Sequence, residues 1–134
     1  LGEVGRLQEE GNKKFTDMTA IQQITAVAAS LGWEVKTDIQ KKKRVEFEFQ
    51  RYTKMGQNFF FTVGMKDNDT GSLISEIEDY YESFDPDYEA YLWIGTDGHG
   101  RNGAPYHIKD IVSDMEDAEA MIKTLYETLK TTLQ

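Results

Sequence analysis

The sequence predicts an α+β domain: a two-layer fold with a four-stranded, mostly antiparallel sheet and helices on one face, in the order helix-β-β-β-helix-β-helix-helix. Three observations carry this. Three consecutive segments alternate apolar and polar residues, the two-residue period of a half-buried strand. Their connections are too short for the crossover of about a dozen residues that parallel neighbours require. Flanking segments repeat apolar residues every three or four positions, which lines one face of a helix. With 134 residues and no internal repeat, low-complexity segment or splitting linker, the chain reads as one domain over 1–134 with a single core.

Residues 1–15 carry Val4, Leu7 and Phe15, interrupted by Gly5 and Gly11. They read as a loosely attached N-terminal segment, either a frayed helix or a tail docked on a neighbour. A firmer helix begins near Thr19, where Thr19 and Gln22 fit a capping box that satisfies two free backbone N–H groups. Met18, Ile21, Ile24, Val27 and Leu31 line its inner face, and Gly32 ends it by taking the left-handed conformation.

Trp33, Val35, Thr37 and Ile39 then alternate with Glu34, Lys36 and Asp38 as a first strand. A basic connection at 40–44 leads to Val45, Phe47 and Phe49, alternating with Glu46, Glu48 and Gln50. A turn at 54–57 around Gly56 precedes a third strand at 58–66, with Phe59, Phe61, Val63 and Met65 on one side and Phe60 on the other. After a polar turn at 67–71, a second helix starts at about Ser72 and carries Leu73, Ile74, Ile77, Tyr81 and Phe84. Pro86 limits it, because the residue before a proline avoids the helical region.

Residues 88–94 (YEAYLWI) are rich in aromatic and branched side chains and are expected to form the fourth strand. A glycine loop from Gly95 to Pro105 follows, then a short helix at 107–112. Ser113 with Glu116 offers a second capping box, opening a terminal helix with Ala118, Met121, Ile122, Leu125, Leu129 and Leu133 on one face.

Composition narrows the function classes. Cysteine is absent, which excludes disulfides, cysteine-ligated zinc, iron–sulfur clusters and thiol catalysis, and suits a cytoplasmic location. No apolar run approaches the roughly 18 residues of a membrane span, so no membrane association is expected. No basic-then-apolar leader is visible, and the chain begins at Leu1 rather than Met, which leaves the native N-terminus open. The net charge of −9 is uneven: residues 1–66 hold 11 basic and 8 acidic residues, and residues 67–134 hold 4 and 16. Direct nucleic-acid binding by phosphate neutralisation favours the opposite sign and is not expected. An acidic half suits solubility, a basic protein partner or imitation of a polyanion.

The acidic balance concentrates in one run. Glu76, Glu78, Asp79, Glu82, Asp85, Asp87 and Glu89 fall within fourteen residues that contain no Lys or Arg, with Tyr80, Tyr81, Phe84 and Tyr88 interleaved. One reading is a solvated face, where repulsion between acids one helical turn apart is cheap. The functional reading is a surface that imitates a phosphate array, with aromatics adding contact area for a basic protein surface. Glu78, Asp79, Glu82, Asp85, Asp87 and Glu89 are the residues assigned to it.

The glycine loop is the second candidate. Gly98, Gly100 and Gly103 form a G-x-G-x-x-G between an expected strand and an expected helix. That fingerprint belongs in a βαβ unit with a further parallel strand, and here the chain ends in helix, so the glycines read as turn residues and no cofactor is expected. Asp97, His99 and His107 are of metal-ligand type, though their spacing matches no helical ligand pair. With Arg101 they define an alternative, a small metal- or ligand-binding enzyme. Asp67, Asp69 and Glu78 imitate a calcium loop, but Gly71 and Ser72 stand where a ligand and a glycine are needed. No G-x-S-x-G is present.

Phe84-Asp85-x-Asp87 after a helix, Gly103-x-Pro105, and Asp114-Met115-x-x-Ala118 opening a terminal helix resemble small accessory proteins of phages and conjugative elements of gut bacteria, which are generally uncharacterised. The resemblance covers roughly the C-terminal third. It implies no activity and no catalytic residues. It implies a context, a cytoplasmic protein of a mobile element, where acidic proteins that block host restriction or CRISPR nucleases are known.

The sequence therefore points to a protein that binds and does not catalyse: an acidic protein-interaction module, in its sharpest form a counter-defence protein whose acidic face occupies a basic groove. The alternatives are the glycine-loop enzyme and a structural homo-oligomer sealed by the aromatic strand face or by residues 1–15.

Overall fold

A computed structural model describes residues 18–39 and 43–134. The expectations for residues 1–15, and most of the basic connection at 40–44, lie outside the described residues. Helix α1 (Ala20–Ser30) opens as its sequence dictates: Gln22 N donates to Thr19 Oγ1 and Thr19 N donates to Gln22 Oε1. It closes on Gly32 at φ 91°, with Gly32 N donating to Ala29 O and Trp33 N to Ala28 O. That pair of bonds satisfies two carbonyls the helix end would leave free.

Strands β1 (Glu34–Ile39), β2 (Arg44–Tyr52) and β3 (Asn58–Lys66) form an antiparallel meander in the order β1-β2-β3. Val35 stands opposite Phe49, and Phe49 opposite Phe61, so one face collects Val45, Phe47, Phe49, Phe59, Phe61, Val63 and Met65, all buried. Trp33 meets the rings of Phe49, Phe59 and Phe61 edge-on at 5.6–6.4 Å. The alternation expected of β1 is covered only at its start: Val35 is half-buried, while Ile39 is 76% exposed.

Helix α2 (Thr70–Ser83) packs under β3, as α1 packs under β1. Asp69 caps α2 by accepting from Gly71 N. The long helix α4 (Ile108–Leu133) lies against α1, α2 and the short helix α3 (Pro86–Tyr91), with Ile111, Met115, Ala118, Ile122, Leu125 and Leu129 fully buried. No described helix is long and apolar enough to cross a membrane.

Two expectations are corrected. The fourth strand is absent from the sheet: residues 86–91 are helical, and Ile94 makes only an isolated antiparallel bridge to Gly100. Its β-forming side chains are overruled by Asp85, whose Oδ1 accepts from Asp87 N and Tyr88 N, and by Pro86 at the first helical position, where a missing N–H costs nothing. The sheet is therefore three-stranded. The last two helices are also one. Ser113 and Glu116 lie inside α4, and Ser113 Oγ accepts from Lys54 Nζ rather than capping a new turn.

Candidate functional site

Phe84 takes an extended conformation (φ −70°, ψ 127°), which ends α2 and lets Asp85 and Pro86 start α3 at a new angle. This break distributes the six acidic candidates over different surroundings. Glu78 turns toward α4, where Tyr126 Oη donates to its carboxylate and Lys130 Nζ donates to Tyr126 Oη. The bond to Glu78 raises the Tyr126 pKa, and the bond to Tyr126 raises that of Lys130. Asp79, Glu82 and Asp87 are exposed, and Asp85 is exposed while capping α3. Glu78 also lines a small hollow with Tyr126 and Lys130, and Glu89 is drawn into a separate recess.

That recess is a groove of about 270 Å³, bordered by Asn58, Phe59 and Phe60 of β3, by Glu89, Leu92 and Trp93 at the end of α3, and by Asn102. Beside it Tyr80 stacks on Phe61 at 4.6 Å and meets Phe84 edge-on. Phe60 is 57% exposed, and Tyr88, Tyr91 and Leu92 are exposed around the α3 end of the groove. Burial raises the Glu89 pKa, and the charge of Asp85 raises it further. Burial likewise raises the Tyr80 phenol, with Glu89 adding to the shift. Among the described residues the sole ion pair joins Arg44 to Glu76 at 3.4 Å, so no described Lys or Arg neutralises Glu89. A half-buried carboxylate beside aromatic rings, with no cation among the described residues, is a poor solution for stability and a good one for meeting a cation.

The glycine loop is bonded chiefly to itself. Gly98 N donates to Gly95 O, Gly95 N to His99 O, Gly100 N to Tyr106 O and Arg101 N to Trp93 O. Gly98 and Gly103 have φ of 83° and 86°, and a Cβ on Gly100 would lie 1.8 Å from Pro105 O. All three glycines are thus accounted for by the loop's own backbone. Gly100→Ala is expected to cost about 1–3 kcal/mol through that clash, read as a lower urea midpoint.

Of the loop candidates, Asp97 accepts from His99 N, and Arg101 Nη2 donates to Leu92 O, so both brace the turn. His99 and His107 do come together, their ring centroids 6.5 Å apart, with Tyr106 stacked on His99 at 3.9 Å. They line a depression of about 320 Å³ with Gly98, Ile108 and Lys109. Among the described residues no three His, Cys, Asp or Glu side chains are grouped to hold a metal ion.

Sequence reasoning missed the β3 side of the groove and a second feature, the buried Asp114. Its side chain accepts from Thr53 Oγ1, from Gln57 Nε2 at 2.9 Å and from Met55 N at 3.2 Å. Lys54 N donates to Asp117 Oδ2 next to it, so the β2–β3 turn is fastened to α4. The signal was an aspartate within the apolar stripe Ile111–Met115–Ala118.

Comparison with protein-family models, curated proteins and solved structures finds no match.

Proposed function

We propose that this chain is a protein-interaction module that recognises a basic protein surface through the groove at Glu89 and its acidic rim. The observation that carries the reading is the half-buried Glu89, which pairs with no described Lys or Arg and lines the groove with Phe60 and Trp93, one turn after the exposed Asp85 that caps α3. An arginine or lysine entering there exchanges the repulsion from Asp85 for an ion pair and lays its cation against aromatic faces. Asp79 and Glu82 extend the negative field along exposed α2 and steer the encounter. In the mobile-element setting that the C-terminal motifs resemble, the basic partner is a host restriction or CRISPR nuclease.

The test is a salt-dependent binding comparison against host lysate, using wild type and an Asp85→Asn, Asp87→Asn, Glu89→Gln variant. Asparagine still caps a helix, so α3 is kept. Wild type should retain a partner at low salt and release it at high salt. At about 0.5 kcal/mol per exposed charge, the variant should bind about tenfold more weakly. A partner held equally by both proteins, or none at either salt, contradicts the reading.

Glu89→Gln alone separates function from folding. The folded-state pKa of Glu89 is raised, so its carboxylate opposes folding at neutral pH, and that cost fades as pH falls through the raised pKa. The variant is therefore expected to melt no lower than wild type at neutral pH while binding the partner less well. Binding by wild type should decline as pH falls through the raised pKa of Glu89, because protonation removes the attracting charge.

A further inference from the structure

The groove runs beside a sheet edge that is closed along one half and open along the other. In the β2–β3 hairpin, Thr53 N donates to Gln57 O, which makes the odd-numbered residues of β3 the ones bonded to β2. The even-numbered residues aim their N–H groups outward, and two of them confirm this. Gly64 N donates to Glu76 Oε1 at 2.8 Å, and Lys66 N donates to Ser72 Oγ at 2.9 Å. Side chains of α2 thus cover the C-terminal half of the edge, a usual protection against stray pairing. One turn beyond Glu76 along α2 stands Tyr80, whose ring stacks on Phe61 instead. The outward N–H groups of Phe60 and Thr62 have no partner among the described residues, and both residues are exposed.

The groove begins at that gap. Asn58, Phe59 and Phe60 all line it, residues that point to both faces of the sheet, so it follows the edge of β3 and not one face. Its far side is α3 and its end, with Glu89, Leu92 and Trp93. A space flanked by a bare strand edge and a wall of Leu92, Trp93 and the carboxylate of Glu89 suits an extended chain. Backbone bonds supply affinity, and alternate side chains entering the groove supply selectivity.

We propose that β3 accepts an extended basic peptide as an added strand, bonded through the backbone of Phe60 and Thr62, with an arginine or lysine side chain reaching Glu89. The proposal rests on the basic-partner reading above and adds the mode of capture. The charge of the groove sets the chemistry of the occupant: Glu89 lacks a described cation, and the exposed Asp85 stands one helical turn before it. A second copy of this chain, also acidic at −9 overall, is the less complementary guest.

The experiment selects binders to the intact protein from a randomised twelve-residue peptide library, then follows backbone amide hydrogen exchange with and without the selected peptide. The expected result is a set enriched in Arg and Lys at alternating positions, with exchange at the Phe60 and Thr62 amides slowed by at least about tenfold. Thr62→Pro deletes an N–H that takes no part in the β2–β3 ladder, and should weaken the same peptide by about tenfold. Basic peptides that bind without protecting these two amides overturn strand addition and leave the basic-partner reading standing. Neutral or acidic binders, or no binders, overturn both. Protection that appears in the free protein and grows with its concentration assigns the edge to a second copy and overturns the peptide.

Discussion

Asp114→Ala is expected to destabilise the protein by about 3 kcal/mol, because it removes the single acceptor on which three donors converge. The Thr53 hydroxyl, the Gln57 amide and the Met55 N–H all end on this carboxylate, which is fully buried on α4. A buried donor left without its partner costs about 1–3 kcal/mol, and Met55, which is exposed, is free to turn to water. Two stranded buried donors therefore set the size of the effect. Asp114→Asn keeps the volume but turns an NH2 group toward donors, so it should recover only part of the loss. Urea unfolding reads both. Faster amide exchange at residues 53–57 should accompany the loss, because the network ties this turn to α4.

Phe49→Ala is expected to cost about 3–5 kcal/mol, the range for emptying an aromatic site in a core. Phe49 is fully buried in the central strand, stacked on Phe61 at 5.3 Å and on Phe47 at 6.0 Å, with Trp33 edge-on at 6.3 Å. Its neighbours belong to three strands' worth of register and to the α1 terminus, so the cavity has no single element that can move in to fill it. Against a total stability of about 5–15 kcal/mol, the loss should be plain as a large drop in urea midpoint with an unchanged slope. A midpoint shifted by less than a quarter of that would place the core elsewhere.

Much of this fold was legible because local and tertiary signals agree. Thr19, Gln22 and Gly32 punctuate α1 as their chemistry requires, and the alternation in β2 and β3 survives unchanged as a buried face. The reading failed where a few polar atoms outweighed a run of side chains. In residues 88–94 aromatic and branched residues favour a strand, but Asp85 and Pro86 supply both a cap and a preset φ, and the chain enters a helix. At Ser113 the reverse occurred: a capping pattern lies mid-helix, because burial of Ile111 and Met115 holds that turn continuous.

The candidate site was legible on one side only. Glu89 belongs to a visible acidic run, but its half-burial follows from the α2–α3 break at Phe84, and Phe60 reaches it from a strand nearly thirty residues earlier in the chain. The open backbone at Phe60 and Thr62 leaves no mark in the sequence, since it depends on Tyr80 standing where Glu76 stands one turn before. The charge run is also not one surface, because Glu78 is engaged by Tyr126. Contact between distant segments, not composition, distinguishes Glu89 from its acidic neighbours.

The two tryptophans permit the most direct test of that distinction. Trp33 is buried in the core, and Trp93 lines the groove. Their indole N–H resonances can be followed during titration of the protein with an unstructured arginine-rich peptide at low salt. The expected result is a progressive shift of the Trp93 signal, reversed by salt, with Trp33 unmoved. A titration in which the peptide binds and Trp93 stays still, while signals of residues 98–109 or of exposed α2 move instead, would contradict the groove as the recognition site.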